Sequence, residues 1–203
     1  MGEYKLLGNG CPKETWLVGD SGEMLKRVVI VLLMVVSFSL QGCAIGATGF
    51  KSFVDATDGY QFLYPNGWLE IKVNDGPDVV FHDIIEQMEN VSVVINPVSG
   101  EKTLMDLGSP GEVGYKLSKS AIAPPGSGRQ AELVNAEARE VDGKEYYLLE
   151  YAIKLKDNQE RHNLASVAMS RGKLYTFNAS TSEYRWGKMK DKLEQAVKSF
   201  TVY

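Results

Sequence analysis

Apolar and polar residues alternate in short runs over most of this chain, and Gly, Pro, Asn or Asp cuts each run. That is the pattern of strands joined by tight turns. Strand character begins at Phe50. Asp58-Gly59 marks a turn before the aromatic segment Tyr60–Tyr64, and Pro65-Asn66-Gly67 marks another before Trp68–Ile71. Val79–Phe81 and Val91–Ile95 read as two further strands, and the second is apolar almost throughout, which predicts a central place. Gly100–Gly111 reads as a loop with a helical turn around Leu104. Glu112–Ile122 has helical spacing and is ended by Pro124-Pro125-Gly126-Ser127-Gly128. A meander of long strands follows, Ala131–Val141, Glu145–Leu155, Arg161–Ser170 and Lys173–Ser180. Their connections (Asp142-Gly143, Asp157-Asn158, Arg171-Gly172) are short enough to require antiparallel neighbours. The period then changes. Across Glu183–Ser199 and into Phe200, residues Trp186, Met189, Leu193, Ala196, Val197 and Phe200 recur at helical steps on one face, and Phe200–Val202 forms a last short strand. The pattern predicts an α+β fold, an antiparallel sheet with helices packed against it.

Ahead of this region the pattern is different. Lys26 and Arg27 precede an apolar run from Val28 to Leu40, interrupted by two serines, which closes on Leu40-Gln41-Gly42-Cys43. A basic start, an apolar stretch shorter than the roughly 20 residues of a spanning helix, and small residues before a cysteine describe an export signal. The tetrapeptide is a bacterial lipobox, with Cys43 the residue that becomes lipidated. Glu3, Glu14, Asp20, Glu23 and Cys11 stand before the basic residues, where a signal peptide has no place for them. Met24 is therefore the expected true start. The expected organisation is residues 1–42 as extension plus signal, 43–49 as a lipidated tether, and 50–203 as one domain with its own core.

Charge and cysteine content narrow the functional classes. Lys5, Lys13, Lys26 and Arg27 leave with the leader together with four acids, so the net charge of −4 persists in the remainder. A mildly acidic chain argues against nucleic-acid binding. Cys11 is lost and Cys43 is consumed by lipid, so neither a disulfide nor thiol chemistry is expected. No phosphate-binding loop, dinucleotide fingerprint, zinc-protease helix or nucleophile elbow is present. Asp55 and Asp58 flank a turn that they are placed to cap. His82, Asp83 and Glu86, with Glu89 nearby, form an acidic cluster around one imidazole and make a second candidate metal site, set against the plainer reading of a solvated strand edge. On the final helix Arg185, Lys188 and Lys192, with Lys190 and Lys198, make a basic outer face that fits an acidic protein partner or simply water.

Several segments together resemble the PsbP family, the extrinsic proteins of photosystem II, in its cyanobacterial lipoprotein branch. The carrying residues are Phe53–Trp68 (FVDATDGYQFLYPNGW), Asp78–Ile95 (DVVFHDIIEQMENVSVVI), Gly172-Lys173-Leu174-Tyr175, Arg185-Trp186 and Ser199–Val202. The resemblance implies an α/β/α sandwich with a central, mainly antiparallel sheet of about six strands. It implies a non-enzymatic accessory protein on the lumenal side of the thylakoid membrane, held by lipid, that aids assembly or stability of photosystem II near its D2 subunit. Retention of the ions of the oxygen-evolving cluster is a further family role. A same-fold lipoprotein that binds metal or another ligand for a different membrane partner is the alternative. The resemblance also implies a divalent-metal site at His162 and Glu183, where two side-chain ligands plus water would hold Zn, Mn or Ca only weakly, and no required cofactor.

Overall fold

The computed structural model describes residues 29–30, 49–74, 76–100 and 102–203. The chain divides into two compact units, Met1–Ile45 and Gly46–Tyr203. Of the first, only the helical Val29 and Ile30 are described, and no helix among the described residues is long and apolar enough to cross a membrane. The lipobox, Cys43 and all of the tether except Gly49 lie outside the described residues.

Among the described residues of the second unit are ten strands, two α-helices and a short 3-10 turn at Met105–Leu107. Strands β1 (Phe50–Asp55) and β2 (Tyr60–Pro65) form a hairpin, and β10 (Thr201–Val202) pairs with β2, giving a three-stranded sheet. The remaining strands are β3 (Leu69–Ile71), β4 (Val79–His82), β5 (Asn90–Pro97), β6 (Gln130–Val141), β7 (Lys144–Lys154), β8 (Glu160–Ser170) and β9 (Lys173–Ser182). They form a seven-stranded sheet in the order β3-β4-β5-β9-β8-β7-β6, antiparallel at every pairing. The helices are α1 (Pro110–Leu117), which runs on as a wider π-type turn over Ser118–Ile122, and α2 (Glu183–Ser199). The sandwich expected from sequence is present. The large sheet has seven strands instead of about six, and the first hairpin stands apart from it in a sheet of its own.

Turn chemistry sets the meander. Asp142-Gly143 and Arg171-Gly172 each place two consecutive residues at positive φ (51° and 73°, then 50° and 68°), the two-residue turn whose twist suits a hairpin. The register then follows, with Val141 opposite Lys144 and Ser170 opposite Lys173. The first turn of α1 is fixed locally too. The Ser109 hydroxyl accepts from the Glu112 backbone N–H while the Glu112 carboxylate accepts from the Ser109 N–H at 2.8 Å, a reciprocal cap, and Pro110 opens the helix.

Strand alternation gives each face of the large sheet its own core. One face presents Val91, Val93, Tyr175, Phe177, Ala179 and Leu164 to α2 and to the small sheet. There Phe62 meets Phe177 at 4.6 Å between ring centroids, Phe177 stacks on Phe200 at 5.3 Å, and Tyr64 stacks on Phe81 at 4.1 Å. The other face presents Tyr147, Leu149, Tyr151, Ile153 and Val167 to α1. Two phenols pin that helix to β7: Tyr147 donates to the Gly108 carbonyl at 2.9 Å and Tyr151 to the Gly114 carbonyl at 3.0 Å. Burial pushes the Tyr151 phenol well above its ordinary pKa, so it stays a donor at any physiological pH.

Phe62 joins the small sheet to the large one and is buried, so its truncation leaves a cavity at that junction. Phe62→Ala is expected to cost about 3–5 kcal/mol, read as a lowered urea midpoint with an unchanged slope. A midpoint within experimental error of the wild type would show that the aromatic junction does not hold the two sheets together.

Candidate functional site

The register of the β8–β9 hairpin places Arg161 opposite Ser182, so Glu183, the first residue of α2, emerges beside His162. His162 is 6% exposed and lies between two carboxylates. Its Nδ1 is 2.9 Å from Glu183 Oε2 and its Nε2 is 2.7 Å from Glu150 Oε1, with Glu150 supplied by β7. Trp186, one turn into α2, stacks on the imidazole at 3.7 Å with an interplanar angle of 11°. The two residues expected to share a site are thus brought together, and Glu150 is the member that sequence reasoning missed. The alternation of β7 alone carried its signal: Glu150 occupies a position between the inward Leu148 and Ala152 on the face that meets α2.

This geometry has a chemical consequence. A neutral imidazole carries one N–H and one lone pair. With both nitrogens against carboxylate oxygens, a neutral ring would set a lone pair against an anion on one side. The arrangement is satisfied by a second ring proton, or by a cation at Nδ1 while Nε2–H donates to Glu150. In the second case Glu150 orients the ring, the usual task of a carboxylate behind a ligating histidine. Glu183 is solvent-exposed and can rotate to share the ion. The residues present therefore fit one weakly held divalent cation.

The second predicted cluster does not gather. His82 ends β4 and pairs across the sheet with Leu69 and Asn90. The Asp83 carboxylate accepts from the backbone N–H groups of Ile85 and Glu86, both at 2.8 Å, and these bonds hold it below the usual carboxylate range. Glu86 lies 3.7 Å from the Arg185 guanidinium. Glu89, expected on a solvated edge, is only 2% exposed, accepts from Thr181 Oγ1 at 3.2 Å and is bonded to Arg185 Nε. Arg185 comes from the first turn of α2, and its contact with Glu89 pushes its pKa above the ordinary arginine value. Arg185 thus pairs with two of the acids of this loop. The same contact corrects the docking set: Arg185 is engaged within the fold, whereas Lys188 and Lys192 stand exposed four residues apart and form no ion pair among the described residues.

Among the described residues, one set of three acidic groups has ligand atoms within 4.8 Å of one another: Asp55, Asp58 and Asp78. Each is already bonded within the protein. Asp55 accepts from the N–H groups of Thr57 and Asp58 at 2.8 Å, as its place before the turn predicts, and Asp58 pairs with Lys173 at 2.7 Å. Asp78 accepts from the Tyr60 hydroxyl, and burial together with that carboxylate pushes the phenol above its ordinary pKa.

The Arg185–Glu89 contact generates a stability test. Arg185→Met leaves Glu89 buried without its cation and should lower the melting temperature clearly, while adding Glu89→Gln should restore part of that loss. Simple addition of the two single effects would show that the pair acts independently.

The comparisons with known proteins agree with this architecture. The PsbP family profile matches residues 48–202. The chain is 49% identical over 184 residues to CyanoP of Thermosynechococcus vestitus, covering 89% of this chain and all of that protein. It is 46% identical to CyanoP of Synechocystis sp. over 88% of this chain and 97% of that one. The solution structure of Synechocystis CyanoP superposes with a TM-score of 0.67 at 48% identity, covering 79% of this chain and 96% of that one. A plant relative, the chloroplastic PsbP-like protein 1 of Arabidopsis thaliana, is 38% identical over 76% of this chain and 65% of its own length. With its match running through both sheets and both helices, this chain belongs to the PsbP family.

Proposed function

We propose that this protein is a lumenal accessory protein of photosystem II, held at the thylakoid membrane by lipid on Cys43, which assists assembly or stability of the complex by docking and not by catalysis. The observation that carries this reading is similarity at 46–49% identity to two CyanoP proteins along nearly their whole length. Lipid confinement raises the local concentration of the domain at the membrane plane, so a modest protein surface suffices for association. Lys188 and Lys192 on the outer face of α2 are the contacts assigned to an acidic lumenal partner, with D2 the expected subunit.

The same reading includes weak divalent-metal binding. His162 Nδ1 and Glu183 would hold the ion, Glu150 would fix the ring through Nε2, and water would complete the shell. Two protein ligands support reversible binding of Zn, Mn or Ca, not a permanent structural site. Bound there, the ion would neutralise the carboxylates at the start of α2. Retention of ions for the oxygen-evolving cluster is a family role to which this site could contribute.

Association is tested by affinity capture of the C-terminally tagged protein from solubilised thylakoids, with partners identified by mass spectrometry. Reaction-centre precursors in the captured set are the expected result for an assembly factor, and Cys43→Ala should reduce the yield. Absence of every photosystem II subunit from the wild-type capture would end the functional reading while leaving the family assignment intact. Lys188→Glu with Lys192→Glu should weaken capture by about fivefold at low salt, since each exposed charge contributes only ~0.5 kcal/mol, and the difference should shrink as salt rises. Metal binding is tested by calorimetric titration with Zn²⁺: His162→Ala should abolish the heat, and Glu183→Gln should weaken binding. Undiminished heat from the His162→Ala protein removes the site.

A further inference from the structure

α1 and its π-type turn cover only part of their face of the large sheet. They lie over β6 and β7, and beside them the face carried by β5, β9 and β8 opens into a cavity of about 470 Å³. That volume lies in the range of small-molecule pockets. The floor is polar, with Ser92, Thr176, Asn178 and Ser180 alternating against the apolar residues of the opposite core. One wall is apolar, built by Leu117 and Ile122 from the end of the first helix and by Ile153 and Leu155 from β7 and the turn after it.

Three observations mark this as a binding site. Among the described residues that line it, the only charged ones are Arg129 and Arg161, and none is a carboxylate. In a protein of net charge −4, two guanidinium groups therefore meet here without an ion-pair partner among the described residues. Burial, and after it the neighbouring Arg129 charge, hold Arg161 below its ordinary pKa. Second, Arg161 Nη2 donates to the Met88 carbonyl at 3.0 Å and to Ser180 Oγ, while its buried Nε has no partner. Third, Thr176, a cavity-lining residue only 8% exposed, carries a hydroxyl shielded from solvent that has no partner either. Buried polar groups are nearly always bonded, so these two shielded and unpartnered groups, turned into the cavity by a side-chain rotation, favour a ligand that accepts.

We propose that this cavity binds a small organic anion, a carboxylate or sulfonate joined to an aromatic ring or short hydrocarbon chain. Arg161 and Arg129 hold the charged group, the Thr176 hydroxyl donates to it, and Leu117, Ile122, Ile153 and Leu155 cover the apolar body. A bare inorganic anion would leave the apolar wall uncovered, and a neutral apolar molecule would leave the arginines unpaired. The site is on the face opposite His162 and owes nothing to the metal reading, because alternation sends Asn163 toward it and His162 away.

The test is calorimetric titration of the full chain with 4-phenylbutyrate and with its uncharged analogue 4-phenylbutanol. Phenylbutyrate is expected to saturate a single site, and the alcohol to bind more weakly by about tenfold or more, the value of a charge-assisted contact. Arg161→Met also removes the bonds to Met88 and Ser180, so two milder variants keep the test separate from folding. Arg129 is exposed, and Thr176→Val is nearly isosteric and deletes an unsatisfied buried group. Arg129→Gln and Thr176→Val should each weaken phenylbutyrate by about three- to tenfold. The melting temperature should be unchanged in the first variant and unchanged or raised in the second. The proposal is overturned by no saturable binding up to millimolar ligand, by equal affinity for the alcohol, or by wild-type affinity in both variants.

Discussion

Asp58 is the constraint on which much of this structure depends. Its backbone carbonyl accepts from the Tyr175 hydroxyl at 2.8 Å and from the Arg171 guanidinium, and its carboxylate takes Lys173 at 2.7 Å. The next residue, Gly59, gives its carbonyl to the N–H of Tyr203 at 2.9 Å. One turn thereby ties the first hairpin to the tip of the β8–β9 hairpin and to the end of the chain. Gly59 suits this turn because its φ is 75°, and a Cβ there would push the Arg171 guanidinium away from the Asp58 carbonyl. With that turn held, Tyr60 and Phe62 face Tyr175, Phe177 and Phe200, and the small sheet closes the core under α2.

α2 in turn connects the core to the candidate functional surface. Its inward stripe, Met189, Leu193, Ala196 and Val197, is buried against the aromatic core. Its first turn serves a different purpose. Glu183 and Trp186 enclose His162 on one side, while Arg185 reaches Glu89. Three neighbouring residues of one helical turn thus organise two polar clusters from three different strands. What remains outward-facing, Lys188 and Lys192 among it, is the part of the basic face open to a partner.

The motifs that signal the family turn out to be halves of shared contacts. Asp58, from the first quoted segment, is joined to Lys173 and Tyr175 from the Gly-Lys-Leu-Tyr segment, 115 and 117 residues later. Glu89, from the second segment, is joined to Arg185 of the Arg-Trp pair, 96 residues later. Neither partnership was legible, because sequence spacing carries no information about which strands become neighbours. Glu89 was read as solvated for that reason: a carboxylate among other acids looks exposed until its arginine is located. Val91–Ile95 was read as almost wholly apolar, yet the strand alternates, with Val91 and Val93 in the aromatic core and Ser92 on the floor of the cavity.

By itself the sequence determined the elements that depend on a few adjacent residues. The positive-φ turns at Asp142-Gly143 and Arg171-Gly172, the helical stripe of Glu183–Ser199, the strand segments and the α+β class all follow from local backbone preference and hydrophobic period. Tertiary structure decided everything that needed a distant partner. It set the first hairpin in its own sheet, gave the large sheet its seventh strand, put Glu150 behind His162, spent Arg185 on Glu89, and set Arg129 and Arg161 at one cavity with no acid among its described lining residues. The physical reason is one of range. Turn and helix propensities act over a handful of residues, whereas burial, pairing and charge compensation are fixed only once strand order and register place residues side by side.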